Sequence, residues 1–318
     1  MGFGKAALYL YHRPKDLLRL CLEEGGPYQQ WRTEQGRRAM LDAALRLPPL
    51  HAPEPDRGAR IAFLSGSRYW YQTVFCFASL QIHVPFRITP LIFDDGSLDN
   101  TVRAAISRVI PWALFTSAND IEVKLDRALP ANGFPRLRSR RREYPHLRKL
   151  IDIHLGASGW NLVLDSDMLA FRRPDELIAW FEKPHTLYMQ DVKTSYGYPC
   201  TYLSGLAGRP LPEHVNVGLY SLFGPDIDWH AVEYWCGRQL DEYGGHFWQE
   251  QALTAMLIAQ AEARPLSATS YRVLPDLEEG KHPTAVLHHY VAYAKRSYFQ
   301  YAWRRVREDL GQTTSQRD

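Results

Sequence analysis

The chain has few cysteines, and their spacing suggests no pairing. They lie far apart, without the pattern of a zinc site or a disulfide framework: Cys21, Cys76, Cys200 and Cys236. We therefore expect reduced thiols in an intracellular protein. The N-terminal apolar run reaches Arg13 and Lys15 too soon for a signal peptide or a membrane span. Together these features predict a cytoplasmic protein.

The chain also lacks a strong charge, an internal repeat and a low-complexity tract. Its net charge of +3 is too small to suggest nucleic acid as a partner. The 318 residues, 45% hydrophobic and 23% charged, are ordinary for one large soluble domain or two modest ones. Aromatic residues are abundant at 13%. They indicate either stacking surfaces for sugars or bases, or an aromatic core.

The most informative segment is 161–171, in which a short apolar run ends in Asp165-Ser-Asp167. Leu162 to Leu164 predict a buried strand, which would place both carboxylates at its carboxyl end. Ligands of open α/β sheets bind at that edge, and hard oxygen ligands there suit Mg²⁺ or Mn²⁺. The alternative is a solvated acidic turn after a strand.

Three parts are predicted along the chain. Residues 1–58 form a helical extension followed by a proline-rich linker, residues 59–310 form the main domain, and residues 311–318 form a flexible tail. The arginine-rich run 136–142 is interpreted as a solvated basic loop, or alternatively as a contact for an anionic acceptor or a membrane surface.

Alternating strands and helices in the main domain predict an α/β fold with a mostly parallel sheet covered on both faces. The first strand runs into Ser65 and Gly66, where glycine allows a nucleotide close to the backbone. Residues 86–93 predict a second strand, interrupted by Pro90. The turn that follows feeds a helix capped near Asp99 or Thr101.

Five segments resemble glycosyltransferases. The turn from Asp94 to Thr101 looks like the first nucleotide-binding turn of family 2, and Asp165-Ser-Asp167 looks like the D-x-D motif of GT-A fold enzymes. Residues 214–221, 247–254 and 289–295 fall in the order of three later motifs of the glycogenin-like family 8. The resemblance covers about residues 60–296 and implies a GT-A, Rossmann-like, mostly parallel mixed sheet flanked by helices.

The resemblance implies a divalent metal, Mn²⁺ or Mg²⁺, that stabilises the departing diphosphate of a nucleotide sugar. Asp165, Asp167 and His289 would be the ligands of this metal, and Asp165 would also contact the nucleotide-sugar donor. Alternatively His288 is the ligand, or His289 only pairs with His288 in an aromatic helix. Lys295 would reach the leaving phosphate.

The remaining site residues are expected around the donor. Asp95, or its neighbour Asp94, would accept a hydrogen bond from a pyrimidine or a ribose, unless both only cap the turn. Glu250 and Gln251 would line the donor sugar in a retaining enzyme, whereas Glu250 would be the general base in an inverting one. Asp191 is a second candidate base or sugar ligand, or a strand-end carboxylate.

The acceptor would be a carbohydrate or another hydroxyl compound, stacked on Tyr196, Tyr198 and Trp248, for which core packing is the alternative. The aromatic and basic segment 290–310 is expected to pack on the sheet, with a peripheral helix on the inner face of a membrane as the alternative.

The sequence thus predicts a metal-dependent glycosyltransferase with a nucleotide-diphosphate sugar donor, UDP-linked in preference to GDP-linked, and retention favoured over inversion. A sugar-nucleotide pyrophosphorylase or nucleotidyltransferase is the enzymatic alternative, although no G-x-G-T-R-like segment follows the first strand. The other alternative is a non-catalytic GT-A domain that binds sugar nucleotides.

Overall fold

The computed structural model describes residues 25–315, with side chains through residue 312. The part of the extension before Gly25 and the last three residues of the predicted tail lie outside this range. The strands are β1 Asp56–Ser65, β2 Arg87–Asp94, β3 Leu114–Thr116, β4 Trp160–Leu164, β5 Met168–Ala170, β6 Leu187–Gln190, β7 Val215–Phe223, β8 Arg264–Pro265, β9 Tyr271–Val273 and β10 Leu287–His289.

Helices precede, separate and follow these strands. They are α1 Pro27–Ala44, α2 Trp70–Gln81, α3 Asn100–Val109, α4 Ala118–Ala128, α5 Pro135–Glu143, α6 Leu147–His154, α7 Asp175–Glu182, α8 Cys200–Ala207, α9 Trp229–Tyr243, α10 Gln249–Ile258, α11 Leu277–Lys281, α12 Lys295–Ser297 and α13 Trp303–Ser315. A π-helical stretch, Tyr298–Ala302, joins α12 to α13. Because α13 continues to Ser315, the described part of the predicted tail is helical.

A seven-stranded sheet in the order β3-β2-β1-β4-β7-β6-β8 organises the chain. The pairs β3–β2, β2–β1, β1–β4 and β6–β8 are parallel, and β7 is antiparallel to both of its neighbours. This is the mostly parallel mixed sheet that the alternation of strands and helices predicts. A second sheet, in the order β5-β10-β9, lies beside it.

The core is split by the main sheet, because successive strand residues face opposite sides. Ile61 and Phe63 of β1 belong to one hydrophobic cluster, and Ala62 between them belongs to the other. Helix α2 is buried along its whole length in the first cluster, as its apolar sequence requires. Helix α10 is equally buried in the second cluster.

Two local predictions are wrong. Strand β2 is not interrupted at Pro90, which pairs with Ile61 inside it. Since β3 contacts only Leu91 to Phe93, Pro90 lies where its missing N–H breaks no ladder to β3. The basic run is not a loop but helix α5. Its Arg141 is buried, with Nε 2.5 Å from Oδ1 of Asp152, so that at this position the charge stabilises the fold.

Helix α1 and the segment 295–312 pack together. Met40 and Ala44 of α1 lie in the first core cluster, together with Tyr298 and Trp303. The Gln300 side chain donates to the backbone oxygen of Gln29 at 3.1 Å. Buried aromatic residues of the C-terminal segment therefore pack against helix α1, whereas the sequence predicted packing on the sheet. Between Gly25 and Ser315, no helix is both long and apolar enough to cross a bilayer.

Candidate functional site

The site lies where parallel strands end. Strands β1, β2 and β4 run in one direction and end at Ser65, Asp94 and Leu164, so their carboxyl ends meet at one edge of the sheet. Asp165 follows directly, and its N–H donates to the Gly218 oxygen at 2.7 Å. Because β7 is antiparallel to β4, its first residues lie at the same edge.

Three candidate metal ligands converge there. Single ligand atoms of Asp165, Asp167 and His289 lie within 4.8 Å of one another. His289 Nε2 is 3.3 Å from Asp167 Oδ1 and 3.7 Å from Asp165 Oδ2. The small sheet explains this, since β10 pairs with β5 in a register that sets His289 opposite Met168. The predicted convergence of the three residues is present.

His289 is held with one ring nitrogen available. Asn216 Nδ2 donates to Asp191 Oδ2 at 3.0 Å, and Asn216 Oδ1 accepts from the Gly218 N–H at 2.9 Å. That oxygen lies 2.9 Å from His289 Nδ1, so Nδ1 carries the proton and Nε2 keeps its lone pair. His289 Nε2 is buried and has no hydrogen-bond partner among the described residues.

This donor set fits a divalent metal. Two carboxylates and a neutral imidazole nitrogen without a partner are ligands that Mn²⁺ accepts, and oxygen ligands also suit Mg²⁺. The backbone makes room for the ring, because a Cβ on Gly218 would lie 2.3 Å from the Cε1 atom of His289. Asp191 contacts this group only through Asn216, which fixes the tautomer of the candidate ligand His289. Its other oxygen accepts from the Val192 N–H at 2.8 Å.

His288 faces away from the cluster. Its Nε2 lies 2.8 Å from Glu279 Oε1, and its Nδ1 lies 2.8 Å from the Tyr290 hydroxyl. Burial lowers the pKa of His288 to about 4, so it is neutral at pH 7. Both of its nitrogens are therefore engaged, and His289 is the histidine that faces the carboxylates.

Two lysines compensate the carboxylates. Lys295 Nζ lies 2.5 Å from Asp167 Oδ2, and Lys149 Nζ lies 2.9 Å from Asp165 Oδ1. Burial alone would raise the pKa of Asp167, but the Lys295 ammonium beside it lowers the pKa well below its ordinary value. Lys149 was missed at the sequence level. No sequence signal singles it out, because half of the residues of α6 are charged or polar.

Glu250 opens helix α10 next to Lys149. It is 4% exposed, and its Oε1 lies 3.7 Å from Lys149 Nζ without any hydrogen bond. Burial raises the pKa of Glu250 to about 7, although Lys149 opposes the shift. Gln251 Nε2 is likewise buried without a partner among the described residues. The start of α10 therefore carries polar atoms with unused bonding capacity.

Of the four residues predicted to contact the base or ribose of the nucleotide, two have side chains that are engaged within the protein, Ser65 and Asp94. Asp94 holds the turn, because Oδ1 accepts from Gly96 N at 2.8 Å and Oδ2 lies 3.1 Å from Arg103 Nη2. Ser65 is 1% exposed, and its hydroxyl bonds to Thr73 at 2.7 Å. Both side chains are occupied by the fold.

Asp95, which is half-buried, and Gly66, which is buried, lie together at this edge of the sheet. A Cβ on Gly66 would lie 2.0 Å from Asp95 Oδ1, so only glycine lets this carboxylate approach the backbone. Oδ1 of Asp95 also accepts from the Ser97 N–H at 2.9 Å. Helix α3 is capped by Asp99, whose Oδ1 accepts from the Val102 N–H at 2.8 Å. Asp95 is therefore not needed to cap this helix at Thr101.

The three aromatic residues predicted as an acceptor platform do not share one role. Tyr196 and Tyr198 are buried, and the Tyr198 hydroxyl donates to the Gly244 oxygen at 3.2 Å. Trp248 is 39% exposed and stacks on His246 with ring centres 5.3 Å apart. It borders a cavity of about 320 Å³ formed with residues 193–200. Among these three, only Trp248 presents an open ring face.

Comparisons with known proteins bear on the fold. No protein-family model and no curated protein matches the chain. A crystal structure of an active-site Gln-to-Glu mutant of LgtC is similar with a TM-score of 0.51 at 14% identity, over 80% of this chain and 95% of LgtC. The chain therefore has the GT-A fold that its motifs predict.

Two further solved structures are similar at a lower level. The galactosyltransferase LgtC with donor and acceptor sugar analogues has a TM-score of 0.49 at 15% identity, over 80% of this chain and 95% of LgtC. Mouse xyloside xylosyltransferase 1 in its apo form has a TM-score of 0.49 at 13% identity, over 73% of this chain and 96% of that protein.

Proposed function

We propose that this protein is a metal-dependent glycosyltransferase that moves a sugar from a nucleotide diphosphate, UDP in preference to GDP, to an acceptor hydroxyl. The observation that carries the proposal is the cluster of Asp165, Asp167 and His289, with His289 Nε2 buried and unpartnered, at the carboxyl edge of a GT-A sheet. Ligands of such sheets bind at that edge.

The ligand set would hold Mn²⁺ or Mg²⁺ through Asp165, Asp167 and His289. The bound ion would supply Lewis-acid stabilisation of the charge on the departing diphosphate. Lys295 is the residue of this chain placed to add a further positive charge, since its Nζ already lies 2.5 Å from Asp167 Oδ2. Lys149 keeps Asp165 and Glu250 compensated within the buried part of the site.

Donor and acceptor would lie on two sides of this centre. Asp95 and the backbone at Gly66 would contact the ribose or base, because they directly follow the carboxyl ends of β1 and β2 at the same edge, and Asp95 is only half-buried. Gln251 and Glu250 would bind donor-sugar hydroxyls through atoms that otherwise lack partners. Trp248 would stack against the acceptor. A cytoplasmic location stays a prediction.

The role of Glu250 decides the stereochemistry. A pKa of about 7 would suit a general base near neutral pH, as an inverting enzyme needs. We favour retention, because the spacing of His289 and Lys295 resembles the retaining family. Glu250 would then bind and orient the donor sugar, and no proton transfer would pass through it.

Calorimetry with UDP in the presence and absence of Mn²⁺ tests the proposal. We expect binding that requires Mn²⁺, and we expect Asp167→Ala to abolish it while the circular dichroism spectrum stays unchanged. Asp175→Ala is the matched control, because Asp175 is an exposed carboxylate that pairs only locally, with Arg173. UDP binding that is equally strong without metal, or in the Asp167 variant, would contradict the proposal.

Product analysis then separates the alternatives. Hydrolysis or transfer from a UDP-sugar would support the transferase. Release of pyrophosphate from UTP and a sugar phosphate would identify a nucleotidyltransferase, and binding without turnover would identify a non-catalytic domain. NMR of the anomeric proton of the product would distinguish retention from inversion.

A further inference from the structure

A large cavity lies far from the candidate active site. It has a volume of about 980 Å³ and lies between α1, the linker after it, the end of α2 and α13. Its lining includes Glu54, just before β1, and Pro85, just before β2. These are the amino ends of strands whose carboxyl ends carry the candidate active site. The ten residues of β1 separate the two regions by about 30 Å.

The cavity joins an apolar wall to a cluster of cations. Leu47, Ile82, Val84 and Trp303 supply buried or half-buried apolar surface. The charged lining consists of four arginines and two carboxylates: Arg46, Arg173, Arg304, Arg307, Asp42 and Glu54. A ligand with an apolar body and an anionic head would match both surfaces.

Part of this charge is compensated within the protein. Arg173 pairs with Asp175 at 2.7 Å, and Glu54 lies 3.9 Å from Arg87. Arg46, Arg304 and Arg307 have no carboxylate partner within the described part of the chain. The four arginines and two carboxylates of the lining give it a net charge of +2. A phosphate monoester carries about two negative charges at pH 7.

Two of these arginines, Arg304 and Arg307, lie against the same aromatic ring. The guanidinium carbon atoms of Arg304 and Arg307 lie 4.8 Å and 5.5 Å from the ring centre of Trp303. Burial, together with the positive charges of Arg307 and Arg32, lowers the pKa of Arg304. His83 adds a buried Nε2 with no hydrogen-bond partner among residues 25–315. Arginine forks and an imidazole nitrogen are groups that bind phosphate oxygens.

We propose that this cavity binds an amphipathic phosphate monoester, with its head on Arg46, Arg304 and Arg307 and its alkyl chain on the wall at Ile82 and Val84. The site is separate from the donor site and does not depend on glycosyl transfer. In this proposal the basic, aromatic C-terminal segment binds the phosphate head, because two of its arginines, Arg304 and Arg307, line the cavity.

Calorimetry with three probes tests the match of chemistry. We expect mono-octyl phosphate, below its micelle concentration, to bind at least about tenfold more tightly than inorganic phosphate or octyl glucoside, since each of these lacks one half of the recognition. Equal binding of octyl glucoside, or no binding of mono-octyl phosphate, would overturn the proposal.

Variants of α13 locate the site. Arg307→Gln, and the double variant with Arg304→Gln, should weaken the binding of octyl phosphate, the double variant by about tenfold or more. Arg305→Gln is the matched control on the same helix, because Arg305 is exposed and pairs with Asp309 at 3.3 Å. It should change the affinity less than about twofold. An equal loss of affinity in the Arg305 variant would show that the overall positive charge of α13, and not this cavity, binds octyl phosphate, and it would refute the site.

Sedimentation with vesicles identifies the source of the ligand. Pelleting with vesicles that contain phosphatidic acid, but not with pure phosphatidylcholine, would assign a membrane lipid. Binding of octyl phosphate without pelleting would assign a soluble phosphate amphiphile. Because Arg307 is exposed, its single variant should fold, and its melting temperature checks this.

Discussion

At the scale of single residues, the orientation of the candidate metal ligand His289 depends on a neighbouring amide side chain, that of Asn216. Asn216 is oriented by Asp191 and by the Gly218 N–H, so its oxygen accepts from Nδ1 of His289. This contact leaves Nε2 facing Asp165 and Asp167. Asp191 and Asn216 are therefore positioning residues in this arrangement.

Asn216→Ala should weaken the binding of Mn²⁺ by about 10–100-fold, the usual loss when the partner of a metal-binding histidine is removed. Calorimetry with Mn²⁺ alone measures this without a donor sugar. Asn161→Ala is the control, because Asn161 also contacts a histidine, His154, at 3.3 Å, but away from the cluster. Unchanged Mn²⁺ affinity in the Asn216 variant would show that the tautomer is not set by this contact.

Glu250 makes stability depend on pH. Its pKa is about 7 in the folded protein and about 4.5 in an unfolded chain, so between these values the folded state binds more protons. The free energy of unfolding therefore falls as pH rises through this window. Glu250→Gln removes the effect, and its stability relative to the native protein should rise by up to about 3 kcal/mol from pH 4.5 to 7.

Urea unfolding in metal-free buffer measures that difference. Glu242→Gln is the control, since Glu242 pairs with Arg238 on one face of α9 at the surface. A difference between Glu250→Gln and the native protein that stays constant over the pH range would contradict the shifted pKa.

At the scale of elements, successive residues of strand β10 point to opposite faces of the small sheet and therefore join two separate hydrogen-bonding groups. His289 faces Asp165 and Asp167, and His288 on the other face bonds to Glu279 and Tyr290. Glu279 also accepts from the N–H groups of Thr284 and Ala285, at 2.8 Å and 2.9 Å, in the segment that leads into β10. Although burial opposes it, these bonds lower the pKa of Glu279 to about 2.

Glu279→Gln should lower the free energy of unfolding by about 1–3 kcal/mol at pH 7, because backbone donors lose a charged acceptor. A lowered carboxyl pKa stabilises the fold above about pH 4.5, and this contribution is lost as pH falls toward 2. The difference should therefore shrink in acid. Urea unfolding at pH 7 and at about pH 2 measures this difference in the free energy of unfolding. Glu278→Gln is the control, since Glu278 is paired with Lys281 at the surface. Equal losses in both variants would disprove the role of Glu279.

Elements that are specified locally could be predicted from the sequence. The apolar run before Asp165 predicts β4, and Asp99 caps α3 as its position suggests. Features that depend on distant partners could not be predicted. The interior of β2 tolerates Pro90 only because β3 is short, and α5 is stable because Asp152 lies on another helix. No local pattern contains that information.

The same limit applies to the candidate site. Spacing within motifs predicts Asp165, Asp167 and His289, whose ligand atoms the small sheet brings together. Lys149 lies on a helix without any such motif, and its role depends on where α6 meets Asp165 and Glu250. The use of Asp94 inside its turn is local instead, since Oδ1 accepts from the N–H groups of Gly96 and Leu98, and it is the capping alternative that the sequence left open.

At the scale of the whole molecule, helix α1 is tied to the candidate active site through the C-terminal segment. Gly36 of α1 lies against the backbone of Phe299, where a Cβ would stand 2.1 Å from the Phe299 oxygen. Phe299 belongs to the π-helical stretch that directly follows α12, which begins at Lys295. Displacing α1 would therefore shift the segment that carries Lys295.

Gly36→Ala should destabilise the protein by about 1–3 kcal/mol, because the clash is with backbone and cannot be relieved by a side-chain rotation. It should also weaken the binding of UDP with Mn²⁺, since Lys295 would leave Asp167. Gly205→Ala in α8 is the matched control, as a Cβ there meets no atom within 4 Å. Alanine should stabilise that helix by about 0.5–1 kcal/mol and leave UDP binding unchanged. Thermal unfolding and calorimetry measure both variants. If Gly36→Ala were as stable as Gly205→Ala, the close packing of α1 on the C-terminal segment would be refuted, and with it the link from α1 to Lys295.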